Sequence, residues 1–289
     1  MCRLAAFPPG TTFPEAMELA KTLEGHNVDG VGTAHVVDGQ FVVKKFPIPL
    51  SQAIEKRLDL FNHMPHDGWT ILHTRLATHG DKTDKNTHPF EIGDYAFAHN
   101  GVWGESEICR FALQGHVTFN GETDSEVAGY FFNLLGPDRF AKSIMRGGVF
   151  LGLHRSGELH VVKTYGDLQF ASTTEEVYVD KPKGCLLIAS EIKTKRVSGD
   201  DVREVDTGII KMGKDGTVIS ITSNVRKPWN RYETQSNYQS NYLPFAGYGG
   251  RVVRDVRDSS TVVKTNGKAS VEFWSLDPNN YMVNMLGEE

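Results

Sequence analysis

The second residue of the chain, Cys2, follows directly after Met1. Methionine aminopeptidases remove Met1 when the next side chain is small, which would leave a free α-amine on the same residue as the thiol. The ordinary pKa of an α-amine, about 7.7–8.0, is close to the roughly 8.5 of a thiol, so the amine can take the thiol proton. Cys2 is therefore a candidate nucleophile with its own base. Taken alone, a buried start of an N-terminal strand explains this cysteine better.

Polar side chains also follow two apolar, strand-like runs. Arg75 ends the first run, where its guanidinium could bind a carboxylate through two N–H groups, or form an ion pair in a solvated loop. Asn100 and Gly101 end the second, where a side-chain amide and a backbone N–H would form an oxyanion hole. An isolated Asn-Gly pair is more often a type I′ turn. Both interpretations stay open from these residues alone.

A third polar stretch surrounds Asp124. Thr123 and Glu126 have the spacing of a capping box, which predicts the start of a helix. The capping box does not account for Asp124, whose carboxylate is suited to a substrate ammonium. Together with a carboxylate site at Arg75, this predicts an α-amino acid substrate. Cys2 would then attack a carbonyl farther along the substrate side chain.

The elements that must position these residues mix strands and helices without the alternation of βαβ units. The sequence therefore predicts large antiparallel sheets covered by helices. A two-residue turn at Asp38 and Gly39 predicts a β-hairpin. Helices are predicted at residues 11–25, 51–64 and 123–135, with a short one after Pro137, and strands at 2–7, 69–75, 95–99 and repeatedly across 148–223.

Composition narrows the classes of protein. The 39% apolar and 23% charged residues are typical of a soluble globular chain, and the net charge of −5 disfavours broad nucleic-acid binding. No signal peptide or membrane-spanning run is apparent. Three separated cysteines fit reduced thiols and a cytoplasmic location. The histidines show no metal-binding spacing with acidic partners, so neither a metal nor a cofactor is expected.

These residues, in their order, resemble the class II glutamine amidotransferases, whose glutaminase domains are N-terminal-nucleophile hydrolases. The resemblance covers roughly the first three quarters of the chain. It rests on Cys2 and on the stretches HTRLATHG, NTHPF, AHNG and TDSEV, and more weakly on LLIASEIK, which is similar to an ASE segment of the family. The fold that it implies is α+β, a four-layer αββα sandwich of two antiparallel sheets with a C-terminal extension.

The resemblance also implies roles for individual residues. Cys2 would be the nucleophile and its α-amine the base, while Asn100 and Gly101 would form the oxyanion hole. Arg75 would bind the glutamine α-carboxylate and Asp124 the α-amine. Thr78 and His79 would line the same pocket as Arg75. Many family members have an aromatic residue after the Arg, whereas this chain has Leu76.

The resemblance implies a glutaminase domain over residues 2–224. Residues 225–289, rich in Tyr, Asn, Gln, Ser and Gly, predict an irregular extension that serves as a docking arm for a partner. The expected function is hydrolysis of the glutamine side-chain amide through a thioester. The extension is too short for a synthase domain, so the ammonia is expected to reach a separate synthetase subunit.

Three alternatives remain. The chain could hydrolyse another amide with the same nucleophile, which the pairing of Arg75 with Asp124 disfavours. It could be an inactive, glutaminase-like binding subunit. The presence of a nucleophile, an oxyanion hole and residues for both charged groups of the substrate argues against this. The basic and aromatic residues after 225 could stack on nucleic-acid bases, although a linker or docking arm explains them better.

Overall fold

A computed structural model describes most of the first 223 residues and four short strands beyond them. None of the helices among the described residues is long and apolar enough to cross a membrane. The described residues are 2–61, 64–65, 68–144, 147–166, 168–172, 186–191, 202–204, 207–223, 242–244, 251–253, 261–265 and 268–272.

The chain forms four α-helices, one 3₁₀ turn and seventeen strands among these residues. The helices are α1 (Phe13–Glu24), α2 (Leu50–Glu55), α3 (Ser106–Leu113) and α4 (Asp124–Ser143), and the 3₁₀ turn is Asp84–Asn86. The strands are β1 (Arg3–Phe7), β2 (Gly30–Val37), β3 (Gln40–Phe46), β4 (Thr70–Arg75), β5 (Phe90–Ile92), β6 (Tyr95–Gly101), β7 (Gly148–His154), β8 (Leu159–Lys163), β9 (Gln169–Ser172), β10 (Leu186–Ala189), β11 (Val202–Glu204), β12 (Gly208–Met212), β13 (Val218–Ser223), β14 (Tyr242–Pro244), β15 (Arg251–Val253), β16 (Thr261–Thr265) and β17 (Lys268–Glu272).

Two antiparallel sheets form the centre of the first compact unit, which comprises Met1–Trp103 and Phe119–Val225. Sheet A has seven strands in the order β11-β9-β10-β1-β4-β2-β3, and sheet B has six in the order β13-β12-β8-β7-β6-β5. Strand β1 lies between β10 and β4. Strand β6 pairs with β5 and β7. The start of β1 and the end of β4 therefore lie side by side.

Three apolar layers hold the sheets and helices together. One cluster joins the inward faces of the two sheets and includes Leu4, Ile71, Ala98 and Leu151. A second packs α1 and α2 on the outer face of sheet A. Aromatic rings of α4, such as Phe132, pack on the outer face of sheet B. The predicted four-layer α+β sandwich is confirmed.

Local sequence signals explain several boundaries. Asp38 and Gly39 have φ values of 49° and 73°, as a type I′ turn requires, so the predicted hairpin is confirmed. Thr123 caps α4 by accepting a hydrogen bond from the Glu126 N–H at 3.2 Å. Gly136, with a φ of 70°, breaks α4 before Pro137, where the sequence predicts a second, short helix.

The predicted helix over residues 51–64 is wrong in its length. Helix α2 ends at Glu55, and Arg57 adopts a left-handed φ of 54°. This turn brings Leu60 and Phe61 into the apolar layer, where the Phe61 ring lies 6.0 Å from that of Phe7. Burial of these side chains outweighs the helix propensity of the segment.

A second compact unit comprises Gly104–Thr118 and Arg226–Glu289. It contains α3 and two antiparallel hairpins, β14–β15 and β16–β17. Most residues of the predicted docking arm, including most of its basic and aromatic residues, lie outside the described part of the chain. The domain boundary between residues 224 and 225 stays a prediction.

Candidate active site

Three of the predicted site residues, Cys2, Arg75 and Asn100, lie where the inward faces of the two sheets end. The pairing of Arg3 with Thr74 places Cys2 opposite Arg75 on neighbouring strands. Since side chains alternate along a strand, Cys2 shares the inward face with Leu4, and Arg75 shares it with Ile71. Asn100, at the end of β6, has the corresponding position on the inward face of sheet B.

The Cys2 thiol lies against the backbone that leaves β4. Its Sγ lies 3.4 Å from both the N and the O of Leu76, with which it forms hydrogen bonds. Burial raises the pKa of the Cys2 thiol above its ordinary value, and the hydrogen bond with Leu76 and the charge of Arg75 oppose this rise. The charge of Asp124 adds to it, so the charges of Arg75 and Asp124 both act on the thiol.

Arg75 is 2% exposed, and its guanidinium donates hydrogen bonds to the loop that follows it. Nη1 donates to the Asp81 carbonyl at 2.8 Å, and Nη2 to the carbonyls of His79 and Gly80 at 2.8 and 3.0 Å. The interpretation of Arg75 as part of a solvated loop is therefore wrong. A guanidinium has five N–H groups, and two remain beyond these three bonds.

Asp29, which the sequence analysis missed, holds the other side of the same loop. Its Oδ2 accepts a hydrogen bond from the Ala77 N–H at 2.8 Å, and its Oδ1 lies 2.5 Å from the Lys82 Nζ. Burial alone would raise the pKa of the Asp29 carboxyl, but the hydrogen bonds from Lys82 and Ala77 lower it. Asp29 therefore stays ionised and fixes the loop beside Arg75.

Thr78 and His79, predicted to line the Arg75 pocket, lie on this loop. Thr78 is exposed and His79 is partly buried. The His79 carbonyl binds Arg75, while its ring Nδ1 is buried without a hydrogen-bond partner. The structure thus places His79 against Arg75 and Thr78 one residue before it on the loop. Contact of either residue with a substrate stays a prediction.

Asn100 reaches from sheet B to sheet A through Ser190. Its Nδ2 lies 3.4 Å from the Ser190 Oγ, which also accepts a hydrogen bond from the Leu4 N–H at 3.0 Å. The Asn100 Oδ1 is buried without a partner. Ser190 belongs to the ASE segment that the sequence analysis noticed without giving it a role.

Asn100 and Gly101 are the last residues of β6, paired with Val149 and Gly148. The interpretation of this Asn-Gly pair as a type I′ turn is therefore wrong. A Cβ on Gly101 would lie within 1.8 Å of the Gly147 carbonyl oxygen. Only glycine fits at this close approach of two backbones.

Asp124 is the first residue of α4 and is 9% exposed. Its Oδ2 accepts a hydrogen bond from the Trp103 N–H at 2.8 Å, and its Oδ1 accepts one from the Ser125 N–H at 2.9 Å. The Ser125 Oγ lies 2.9 Å from the His99 Nδ1, and the His99 Nε2 donates to the Gly147 carbonyl at 2.7 Å. A chain of polar contacts thus links Asp124 to the backbone beside Gly101.

Buried histidines lie behind the site. The His73 and His88 rings are 4.0 Å apart, and the His73 Nε2 donates to the His99 carbonyl at 3.0 Å. Burial lowers the pKa of His73 to about 3, and it lowers the pKa of His88 and His99 as well. All three rings are therefore neutral at neutral pH. His63 and His66 lie outside the described residues.

The family model for class II glutamine amidotransferases matches residues 15–143. This range contains Arg75, Asn100 and Asp124 but not Cys2. The chain is 36% identical over 152 residues to the glutamine–fructose-6-phosphate aminotransferase of Corynebacterium diphtheriae, covering 46% of this chain and 23% of that protein. It is 28% identical over 267 residues to the enzyme of the same name from Sulfurisphaera tokodaii, covering 84% and 42%. The chain therefore spans less than half the length of these relatives.

Two solved structures share the fold. One is the glutamine phosphoribosylpyrophosphate amidotransferase of B. subtilis, with a TM-score of 0.55 and 18% identity, covering 75% of this chain and 48% of that one. The other is a glutamine aminotransferase class-II domain protein from Silicibacter pomeroyi, with a TM-score of 0.52 and 14% identity, covering 77% and 99%. At these identities the likeness concerns the fold alone.

Proposed function

We propose that this chain, which belongs to the class II glutamine amidotransferases by its match over residues 15–143, hydrolyses the side-chain amide of glutamine with Cys2 as the nucleophile. Removal of Met1 would free the α-amine that serves as the base. The ammonia would pass to a separate synthetase subunit. The free thiols of Cys2 and Cys109 are in keeping with reaction in the reducing cytoplasm.

One observation carries this proposal: the Cys2 thiol lies opposite Arg75 in a sheet whose inward face meets Asn100. The charges of Arg75 and Asp124 both act on this thiol. A nucleophile, an amide donor and two opposite charges thus share one end of the sandwich. This is the set that cleavage of an α-amino acid side chain requires.

The raised pKa of the Cys2 thiol determines the first step. A buried thiol is protonated at neutral pH, so attack on the amide carbon requires a base to take its proton. The α-amine of Cys2 would take this proton and give it to the departing ammonia. The Asn100 amide and the Gly101 N–H would stabilise the oxyanion, and water would then hydrolyse the glutamyl thioester.

The two ends of glutamine would be bound by opposite charges. Arg75 would bind the α-carboxylate through its positive charge and through an N–H group beyond its three bonds to loop carbonyls. The Asp124 carboxylate is fixed by the Trp103 and Ser125 N–H groups and keeps lone pairs for the α-ammonium. These pairings favour glutamine over amides without α-amino acid groups.

The acceptor of the ammonia is proposed to be another chain. The names of the two aminotransferase relatives describe transfer to fructose 6-phosphate, and this chain spans 23% and 42% of their lengths. Residues 225–289 would dock the separate synthetase. Co-purification of the full chain with a companion synthetase would support this, and loss of the complex on truncation after residue 224 would assign the docking to the extension.

Cysteine replacement tests the glutaminase proposal. We expect Cys2→Ala to abolish ammonia release from glutamine, because no other group would supply the nucleophile. Cys109→Ala replaces the other described free thiol and is the matched control, with unchanged turnover. Both variants should keep the far-UV circular dichroism of the parent. Turnover that survives Cys2→Ala would contradict the proposal.

A further inference from the structure

We propose that Asn86 is a positioning residue. Its side chain would hold the loop after Arg75 and the start of α4, where Asp124 lies, at the separation that the two charged ends of glutamine require. Asn86 belongs to the NTHPF stretch and has no role so far. This inference rests on the proposed function. It assigns to Asn86 the alignment of the substrate and none of the chemistry at Cys2.

The Asn86 side chain bonds to both structures. It is 2% exposed, and its Nδ2 donates to the Asp81 carbonyl at 3.1 Å. The same Nδ2 lies 3.4 Å from the Glu122 Oε2, and the Asn86 Oδ1 accepts a hydrogen bond from the Glu122 N–H at 2.8 Å. One amide therefore joins the loop at Asp81 to the segment that leads into α4.

Each partner of Asn86 is itself connected to a receptor. The Asp81 carbonyl also accepts the hydrogen bond from the Arg75 Nη1 at 2.8 Å. Glu122 lies two residues before Asp124, and its Oε2 also accepts a hydrogen bond from the Asp81 N–H at 3.3 Å. Two paths thus join Arg75 to the segment before Asp124, one through the Asn86 amide and one directly from the Asp81 N–H to the Glu122 carboxylate. The Asn86 amide supplies the larger number of bonds, and through them it would set where the two charges stand relative to each other.

Glycines on both sides let the backbone approach the Asn86 amide closely. A Cβ on Gly80 would lie 2.7 Å from the Asn86 Nδ2, and the φ of Gly80 is 72°. On the opposite side, a Cβ on Gly121 would lie within 2.4 Å of the Asn86 Oδ1. The loop and the segment before α4 therefore approach the amide more closely than side chains would allow.

This arrangement separates alignment of the substrate from reactivity of the thiol. A small electrophile such as iodoacetamide has no α-amino acid groups, so its reaction with Cys2 depends on the thiol alone. A diazoketone analogue of glutamine, 6-diazo-5-oxonorleucine, has both charged groups and must be held by both receptors. Loss of the Asn86 amide should therefore slow the reaction of Cys2 with the diazoketone and leave its reaction with iodoacetamide unchanged.

The experiment compares Asn86→Ala with Asn133→Ala in the full chain, after mass spectrometry has verified that Cys2 is the first residue. Asn133 is the matched control, because its Oδ1 accepts a hydrogen bond from the Asp94 N–H at 2.9 Å and its amide closely approaches Gly93, at the start of β6 away from the site. Glu122→Ala, at an exposed position, is the second variant.

For Asn86→Ala we expect the concentration of the diazoketone at half-maximal inactivation, and the KM for glutamine, to rise on the order of tenfold, since three polar contacts are lost. The maximal inactivation rate and the iodoacetamide rate should stay within about twofold of the parent. Glu122→Ala should shift the same constants by about threefold. Asn133→Ala should shift none of them, whatever its effect on the melting temperature.

If Asn86→Ala slowed the reactions of iodoacetamide and of the diazoketone equally, the variant would have a general structural defect, and the inference would be overturned. Unchanged constants in Asn86→Ala would overturn it too. If Asn86→Ala does not fold, unchanged constants in Glu122→Ala would decide against the inference, and a selective loss would support it. A parent protein that reacts with iodoacetamide but never with the diazoketone would instead contradict the proposed function.

Discussion

Along the inward faces of β1, β4 and β6, side chains change from apolar at one end of the sandwich to polar at the other. The inward residues of β4 are Ile71, His73 and Arg75, and Trp69 precedes them on the same face; all four are buried. The apolar end continues the core that Leu151 shares with both sheets. The two ends of this inward-facing layer are thus equally buried, but one is lined by apolar side chains and the other by polar side chains.

The hydrogen bonds of the two ends also differ, although the Thr70 Oγ1 on the outer face of the apolar end is likewise buried without a partner. At the apolar end, the Trp69 Nε1 donates to the Gly213 carbonyl at 2.7 Å. At the polar end, the described residues include buried atoms without a hydrogen-bond partner, among them the Asn100 Oδ1, the Trp103 Nε1 and both ring nitrogens of His88. Each such atom costs stability, about 1–3 kcal/mol. Under the proposed function, the polar end would serve binding and chemistry, and the apolar end would serve folding.

Replacement of Asn100 should have the largest effect at the polar end. Asn100→Ala would remove an oxyanion donor and lower kcat for glutamine by about 10²–10³-fold. Because the amide already has one unpartnered oxygen, the free energy of unfolding should change by less than about 1 kcal/mol. Steady-state ammonia release and urea denaturation measure the two quantities. A large loss of stability with normal kcat would show that Asn100 serves folding rather than catalysis.

The opposite outcome is expected at the apolar end. Leu151→Ala would open a cavity between the sheets and lower the free energy of unfolding by about 3 kcal/mol. At temperatures where the variant is folded, its kcat should lie within about twofold of the parent, since Leu151 belongs to the apolar cluster between the sheets and has no role in the proposed chemistry. A severe loss of kcat in the folded variant would show that the two ends are not separable.

The buried histidines predict acid sensitivity of the polar end. The folded-state pKa of His73 is about 3, below the unfolded value of about 6.5, so its contribution is complete above pH 6.5 and is lost as the pH falls from there. Between about pH 7 and pH 5 this amounts to about 2 kcal/mol of unfolding free energy. His73→Gln should lose that much less over the same range, as measured by urea denaturation. Equal pH dependence in both proteins would contradict a neutral, buried His73.

The smallest effect is expected at Ser190, which connects the two sheets at the polar end. Ser190→Ala would remove the acceptor for the Asn100 Nδ2 and the Leu4 N–H. We expect kcat to fall by about threefold to tenfold, with little change in KM, because only the orientation of the Asn100 amide is lost. Glutamine kinetics measure both constants, and a change confined to KM would assign Ser190 to substrate binding instead.

The sequence predicts the strands, the hairpin at Asp38–Gly39 and the capped start of α4 because their signals are local. It misses the end of α2, since the left-handed Arg57 turns the chain so that Phe61 reaches a ring on another element. No residue within the segment itself signals that contact.

The site residues likewise divide into those that the sequence reveals and those that only the structure reveals. Cys2, Arg75, Asn100 and Asp124 stand out only as a set, because their chemistry combines into one site and their order along the chain resembles that of a known family. Asp29, Asn86 and Ser190 do not stand out, because their roles depend on partners 36 to 186 residues away in the chain, such as Glu122 for Asn86 and Leu4 for Ser190. Hydrogen bonds between distant loops leave no periodic pattern in a sequence.

The most direct test of the account is mass spectrometry of the protein quenched with acid during turnover of glutamine. We expect an N-terminal peptide that begins at Cys2 and carries a glutamyl group on its sulfur, with Cys109 and Cys185 unmodified. An active protein that retains Met1, or a glutamyl group on another residue, would contradict the central claim.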